Sequence, residues 1–280
     1  MKKAVCIILI VLACIPHSQS VMAEKEDDKE YIPWSRFQVN LGWYFAALDS
    51  SFRLGSSAVG IDVDVEEFLG LDSSDSTFRF GASYRFGKTR RHVVAADWFS
   101  FRRSGSKQLT EDIEFPPGSG KIIATGITVE SVFNFDLISA RYRYAFILDE
   151  RMDANVGVGL FVMPIKFGLG EQGKEFTETD ITAPLPTLGL GFDFAITPKW
   201  FLRQSVDVMY IEFDNFTGSI FDYQIGLEYK PWRHWSFGLA LETMSIKAQV
   251  KDKTDWPGLD FDGSLTFGFQ GIRVFVRYFF

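Results

Sequence analysis

The chain has 280 residues, of which 36 are acidic and 29 are basic, so its formal net charge is −7 at pH 7. A negative balance argues against nucleic acid as a partner, because nucleic-acid-binding surfaces are generally basic. Both cysteines, Cys6 and Cys14, lie near the start of the chain, so the remainder has no disulfide to hold a fold together. We therefore expect a fold held by its own core or by closure of a sheet.

The first 23 residues have the order of a secretory signal peptide. Lys2 and Lys3 precede an apolar run over residues 4–15, and a short polar stretch then ends at Ala23. The apolar run is too short to cross a bilayer as a helix, which takes about 20 residues. The pattern predicts export and removal of residues 1–23.

Two interpretations follow for the residues near the predicted cleavage site. In the first, an acidic leader covers residues 24–33 and a single domain covers 34–280, with 36 acidic and 27 basic residues left after cleavage. In the alternative, Cys14 is the lipidated residue of a lipoprotein signal, although Leu12 fits that pattern poorly.

Beyond residue 23 the chain has no apolar stretch of the length that a membrane helix needs. Instead, aromatic residues make up 16% of the chain, and most lie in segments where apolar residues alternate with polar or small ones. A period of two is the pattern of a β-strand with one apolar face. In a soluble sandwich that face fills a core, whereas in a membrane barrel it contacts lipid.

The alternating segments follow one another along the whole domain. Two of them, 91–101 and 200–213, alternate less regularly than the others. The apolar faces of the regular segments begin, in chain order, at Val39, Phe78, Ile138, Val156, Leu188, Phe221, Phe237 and Ile272.

Short and long polar links separate these segments in turn, which is the arrangement of an up-and-down antiparallel barrel. Four short turns, with both ends of the domain on the same side, predict ten strands; eight and twelve are the alternatives. Tryptophans beside the short turns are expected to form an aromatic girdle, and these are Trp34, Trp200, Trp232 and Trp235. The short links are 87–90, 148–151, 197–199 and 230–233, and the longer ones lie near 49–74, 107–124, 169–181 and 250–263, with a brief one at 214–217.

The last segment carries the most specific pattern. Arg273 and Arg277 lie on one face, and the opposite face is formed by Ile272, Val274, Val276, Tyr278 and Phe280. This segment resembles the assembly signal of bacterial outer-membrane barrels, and the chain is similar in style to small barrels of the OmpA, OmpW and omptin type. The resemblance implies placement in a Gram-negative outer membrane. In that placement the leader and the short turns lie in the periplasm, and the long loops are extracellular. It also implies outer-membrane lipids, lipopolysaccharide and the assembly machinery as partners.

The polar faces of the strands are predicted to line the barrel interior. Because buried charges persist only when they are paired, and because a ten-strand lumen is narrow, we expect a structural charge network that fills it. The alternative is a narrow, porin-like diffusion channel. The inward charges are Arg79, Arg85, Asp97, Arg141, Arg143, Asp193, Arg203, Asp207, Asp222, Glu228, Glu242, Arg273 and Arg277.

The longer links are rich in acidic residues. Residues 49–75 contain seven acidic side chains against Arg53 alone, and residues 250–263 contain four more. Oxygen-rich loops can hold Ca²⁺, but the spacing matches no EF-hand. The simpler interpretation is a set of solvated loops.

Catalytic patterns are absent from the sequence. His92 and His234 both lie beside short turns, and no nucleophile elbow, phosphate loop or zinc spacing occurs. We therefore expect neither a catalytic residue nor a cofactor. The expected role is in envelope structure or in loop-mediated binding. The alternative is an enzyme that processes lipid or peptide at the outer leaflet.

Overall fold

The computed structural model describes residues 33–54, 61–64, 66–67, 70–110, 112–114, 122–171, 177–213, 216–250 and 263–280. The predicted signal peptide, Cys14, nearly all of the predicted leader and the acidic link 251–262 lie outside the described residues. Within those residues, no helix has the length and apolar character needed to span a membrane.

Ten long antiparallel strands form one closed sheet, which confirms the predicted barrel and its strand number. Each strand pairs with the next along the chain, and the last pairs with the first from Gln38–Phe279 to Leu54–Gly263. The strands are β1 (Phe37–Leu54), β2 (Ser74–Phe86), β3 (His92–Gln108), β4 (Thr128–Leu148), β5 (Met152–Glu171), β6 (Thr177–Ala195), β7 (Trp200–Phe213), β8 (Phe216–Tyr229), β9 (Trp235–Val250) and β10 (Gly263–Phe279).

The connections distinguish the two ends of the barrel. The short-turn end carries the links 87–91, 149–151, 196–199 and 230–234, and the long-loop end carries the others. Three short strands lie in the long connections: Ile61–Asp64 pairs with the end of β1, and Ile113–Glu114 pairs with Ile122–Ile123. The predicted link 169–181 was wrong, because β5 continues to Glu171 and β6 begins at Thr177.

Alternation along each strand divides the side chains between lipid and lumen. On β1, Leu41 and Phe45 are 53% and 54% exposed, while Tyr44 and Ala46 between and beside them are buried. A closed barrel that exposes an apolar band and buries charge has the surface of a membrane-spanning barrel. Equivalent outward residues on the other strands include Phe80, Trp98, Ile138, Val158, Leu190, Val208, Leu227, Leu239 and Val274.

Three of the four predicted girdle tryptophans, Trp200, Trp232 and Trp235, are exposed at the short-turn end. The prediction was wrong for Trp34, which is buried at 5% exposure. Its indole Nε1 donates a hydrogen bond to the carbonyl oxygen of Asp149 at 2.6 Å, and its ring packs edge-on against Phe201. Because Asp149 lies in the turn between β4 and β5, Trp34 lies inward across this end of the barrel.

Candidate functional site: the barrel lumen

The lumen contains two layers of side chains, one charged and one aromatic. The charged layer lies toward the short-turn end and holds all thirteen residues that were predicted to point inward. Each of the thirteen lies within 4 Å of an oppositely charged partner.

Glu242 of β9 is one centre of the charged layer. Its Oε2 lies 2.5 Å from Arg79 Nη1, and its Oε1 lies 2.6 Å from Arg273 Nε. Arg273 also donates a hydrogen bond to Asn40 Oδ1 at 3.4 Å. This group joins β9 to β10, β1 and β2 through the barrel interior as well as along the wall.

Arg141 of β4 is a second centre and contacts three carboxylates. Its guanidinium lies 3.3 Å from Asp97, 3.5 Å from Asp207 and 3.9 Å from Asp222. The neighbouring inward arginine, Arg143, contacts Asp207 at 2.8 Å. The contacts with Asp207 and Asp222 cross the lumen, because β4 is not paired with β7 or β8 in the sheet.

Glu228 of β8 forms the third centre, closest to the short turns. Its Oε2 accepts from Arg203 at 2.6 Å and pairs with Arg277 at 2.9 Å, and its Oε1 accepts from Ser236 Oγ at 2.6 Å. Arg203 also pairs with Asp193 at 2.6 Å. Both oxygens of the buried carboxylate are therefore satisfied.

Asp153, which was not among the predicted inward charges, pairs with Arg85 and is 1% exposed. Asn155 connects this pair to the rest of the network, donating to Asp153 at 3.2 Å and accepting from Arg143 at 3.4 Å. Asp153 is the second residue of β5 and therefore lies close to a turn. It alternates in phase with Asn155 and Gly157 on the inward face, which is the signal that could have identified it. With Asp153 included, the described network has seven arginines and seven carboxylates.

Glycines on β6 make room for the arginines. A Cβ atom at Gly189 would collide with the carboxylate of Asp207, and one at Gly191 would collide with Asn155 and Arg143. The small residues on the inward face thus permit close approach of charged groups that reach across the lumen.

The aromatic layer lies toward the long-loop end and corrects the prediction that a polar charge network fills the lumen. On β3 the inward series continues from Asp97 to Phe99 and Phe101, which are 1% and 0% exposed. Ring centroids in this layer lie 4.7 Å apart for Phe135–Phe267 and 6.0 Å apart for Tyr44–Phe269, as in ordinary aromatic packing. Its buried members include Tyr44, Leu48, Phe99, Phe101, Phe133, Phe135, Leu137, Phe161, Met163, Met244, Phe267 and Phe269.

Arginines and rings meet where the two layers join. The guanidinium of Arg79 lies 5.3 Å from the ring centre of Phe99, and that of Arg141 lies 5.1 Å from the ring centre of Phe161. These cation–π contacts leave the arginines enclosed by carboxylates on one side and by rings on the other. The Tyr44 hydroxyl, also at this boundary, is buried and has no hydrogen-bond partner among the described residues.

Two described residues of the first long connection, Glu66 and Leu71, are buried, which corrects the prediction that this acidic stretch is only a solvated loop. Glu66 is 8% exposed and lies 2.7 Å from Arg103 Nη1, and its other oxygen accepts from the backbone N–H of Ser50 at 2.9 Å. Leu71 from the same connection is buried in the apolar cluster.

The described part of the chain holds no group of three or more His, Cys, Asp or Glu side chains arranged to bind a metal. Asp252, Asp255, Asp260 and Asp262, on which the Ca²⁺ expectation partly rested, lie outside the described residues. His92 Nδ1 is 2.7 Å from the Tyr142 hydroxyl, and His234 Nδ1 is 2.8 Å from the carbonyl oxygen of Phe279. Both histidines lie at the short-turn end.

No protein-family model and no curated protein sequence matches this chain. Among solved structures, the chain is similar to the outer-membrane protease OmpT from Escherichia coli, with 6% identity, a TM-score of 0.56, and coverage of 88% of this chain and 97% of OmpT. OprG from Pseudomonas aeruginosa gives a TM-score of 0.38 at 10% identity, covering 88% of this chain and 96% of OprG. Ail from Yersinia pestis gives 0.34 at 9% identity, covering 85% of this chain and 99% of Ail. The likeness to OmpT shows that the chain has the fold of outer-membrane β-barrels.

Proposed function

We propose that this protein is a sealed outer-membrane barrel whose lumen is structural and whose role lies in envelope structure or in binding through its long-loop end. The observation that carries the proposal is the filled interior, with a balanced charge network in one half and a packed aromatic layer in the other. A channel for small solutes needs a continuous wet path. The aromatic layer, with Phe101 and Phe161 at 0% exposure, argues against such a path.

Side-chain pairing supports the structural interpretation of the charges. A buried charge without a partner is strongly unfavourable, and in the described lumen the arginines and carboxylates match in number. The contacts around Glu242 and Arg141 also connect strands that are not neighbours in the wall. We infer that the network stabilises the closed barrel.

Planar-bilayer recording of the refolded full chain tests the proposal. We expect no unitary conductance steps from protein whose folded state is verified by heat-modifiable gel mobility. As a matched comparison, Phe101→Ala/Phe135→Ala opens the aromatic layer without touching the charges, whereas Trp98→Ala/Ile138→Ala alters outward residues of the same strands. Reproducible steps from the unaltered protein would contradict the sealed lumen.

The proposal includes no catalytic role for the two histidines of the described residues. The histidines of the described residues lie at the short-turn end, on the opposite side of the barrel from the surface that the long loops present. A His92→Ala/His234→Ala variant is expected to match the parent in lipid A composition and in peptide cleavage by whole cells. If the parent has an activity that a normally inserted variant lacks, the protein is an enzyme and the proposal is wrong.

A further inference from the structure

Basic residues are concentrated in the connections at the short-turn end. The segments 33–36, 87–91, 149–151, 196–199 and 230–234 contain eight arginines and lysines, against two acidic residues, Asp149 and Glu150. We call these eight residues the basic rim, and they are Arg36, Lys88, Arg90, Arg91, Arg151, Lys199, Lys230 and Arg233.

The opposite end has the reverse charge. Its described connecting segments and short strands contain Asp62, Asp64, Glu66, Glu67, Asp72, Asp112 and Glu114, and the same described segments contain no lysine or arginine. Although the chain as a whole is negative, its charges are unevenly distributed: the connections at the short-turn end are positive and the described connections at the long-loop end are negative.

The basic rim lies beside the tryptophans at the edge of the apolar band that contacts the membrane. Lys199 precedes the exposed Trp200, and Arg233 follows the exposed Trp232, which is 62% exposed. Exposed tryptophans of a barrel girdle lie at the level of the lipid head groups. Cations next to them in the chain lie at or just beyond that level.

Several rim side chains are open to solvent. Lys88, Lys199 and Arg233 are exposed on three different turns around the barrel, and Arg36 is exposed just before β1. The charge therefore forms a ring and is not a compact patch on one side. A partner that fits a ring at head-group depth is the lipid annulus, because lipid surrounds the barrel at each of these turns.

We propose that the exposed side chains of the basic rim bind the phosphate head groups of anionic phospholipids in the leaflet at the short-turn end. This inference rests on the membrane placement proposed above. Basic residues close to an anionic membrane surface contribute roughly 1 kcal/mol each, or about fivefold in affinity, and the attraction weakens with salt. The paired arginines of the lumen take no part, because they face away from lipid.

Spin-label electron paramagnetic resonance on the full chain in phosphatidylcholine bilayers tests the proposal. The measured quantity is the motionally restricted fraction of spin-labelled phosphatidylglycerol relative to that of spin-labelled phosphatidylcholine. The rim variant is Lys88→Gln/Lys199→Gln. The control is Lys166→Gln/Lys247→Gln, which removes two exposed lysines near the ends of β5 and β9 at the long-loop end.

We expect the parent and the control to prefer phosphatidylglycerol over phosphatidylcholine. In the rim variant this preference should fall by a factor of about five for each rim lysine that contacts lipid. Raising NaCl from 0.1 M to about 0.5 M should reduce the parent's preference toward that of the variant. An equal loss in the control, or an unchanged preference in the rim variant, overturns the proposal and favours an acidic soluble partner for the rim. Normal heat-modifiable mobility in all three proteins would show that each is a folded barrel. A negative result would then count against lipid binding by the rim and not against the membrane placement.

Discussion

The carboxylate of Glu66 and the guanidinium of Arg103 form a buried ion pair, with Oε1 and Nη1 2.7 Å apart. Glu66 belongs to the first long connection and Arg103 to β3, so the pair fastens that connection inside the barrel mouth. The guanidinium also lies 5.0 Å from the ring centre of Phe133, in the aromatic layer. Arg103 therefore contacts both the first long connection and the aromatic layer of the lumen.

Glu66→Gln should release this connection and destabilise the barrel. The substitution leaves Arg103 buried without its counter-charge, and breaking one partner of a buried pair costs about 3 kcal/mol or more. Urea unfolding in detergent micelles measures the loss, and limited proteolysis of residues 55–73 measures the release. The exposed neighbour Glu67→Gln is the control; equal effects in the two variants would mean that the pair does not fasten the connection.

Arg141→Ala should be far more harmful than Arg102→Ala. Arg141 contacts three carboxylates inside the lumen, so its removal leaves buried acidic groups unpaired, at a cost on the order of 3–5 kcal/mol. Arg102 Nη2 donates to both carboxylate oxygens of Asp136, at 2.9 and 3.0 Å, but the Arg102 side chain is 53% exposed on the outer surface. Exposed pairs are worth at most about 1 kcal/mol. Comparable unfolding midpoints for the two variants, measured in urea, would show that the lumen is wet.

Tyr44→Phe should leave stability unchanged or raise it by about 1 kcal/mol. The Tyr44 hydroxyl is buried without a hydrogen-bond partner among the described residues, and burial of an unsatisfied polar group is unfavourable. Tyr142→Phe is the comparison, because that hydroxyl is bonded to His92 and its loss should be neutral or destabilising. A clear loss of stability in Tyr44→Phe would reveal a partner for the hydroxyl, such as a bound water.

Stability should increase in alkaline solution because of Lys230, which lies in the turn between β8 and β9. Burial lowers the pKa of Lys230 from 10.5 to about 8, and its ammonium lies 4.0 Å from the ring centre of Phe279. Between pH 8 and 10.5 the unfolded chain binds a proton at this site that the folded barrel has lost, so the free energy of unfolding rises with pH. Below pH 8 both states are protonated and the group adds no pH dependence.

Lys230→Met tests this effect directly. The difference in unfolding free energy between parent and variant should change between pH 8 and 10.5, with the parent gaining relative to the variant, and should be flat between pH 6.5 and 7.5. A constant difference over the whole range would show that Lys230 keeps an ordinary pKa in the folded protein.

The sequence by itself determined the wall of this barrel. Alternation is a local property, because successive side chains of a strand point to opposite faces. Leu41 and Phe45 could thus be placed on the apolar face, and Arg141 and Arg143 on the other, without knowing any partner. The four short turns then set the strand number through chain direction alone.

Only the tertiary structure decided how the inward side chains meet. Glu242 and Arg79 are 163 residues apart, and their contact depends on barrel closure and strand stagger, which no local pattern specifies. Periodicity also loses its meaning where both faces are apolar, as in Trp98-Phe99-Ser100-Phe101, so the aromatic layer was not predicted. Trp34 and Glu66 were misplaced for a related reason: each lies outside the regular barrel strands, and only packing against distant residues fixes where its side chain is buried.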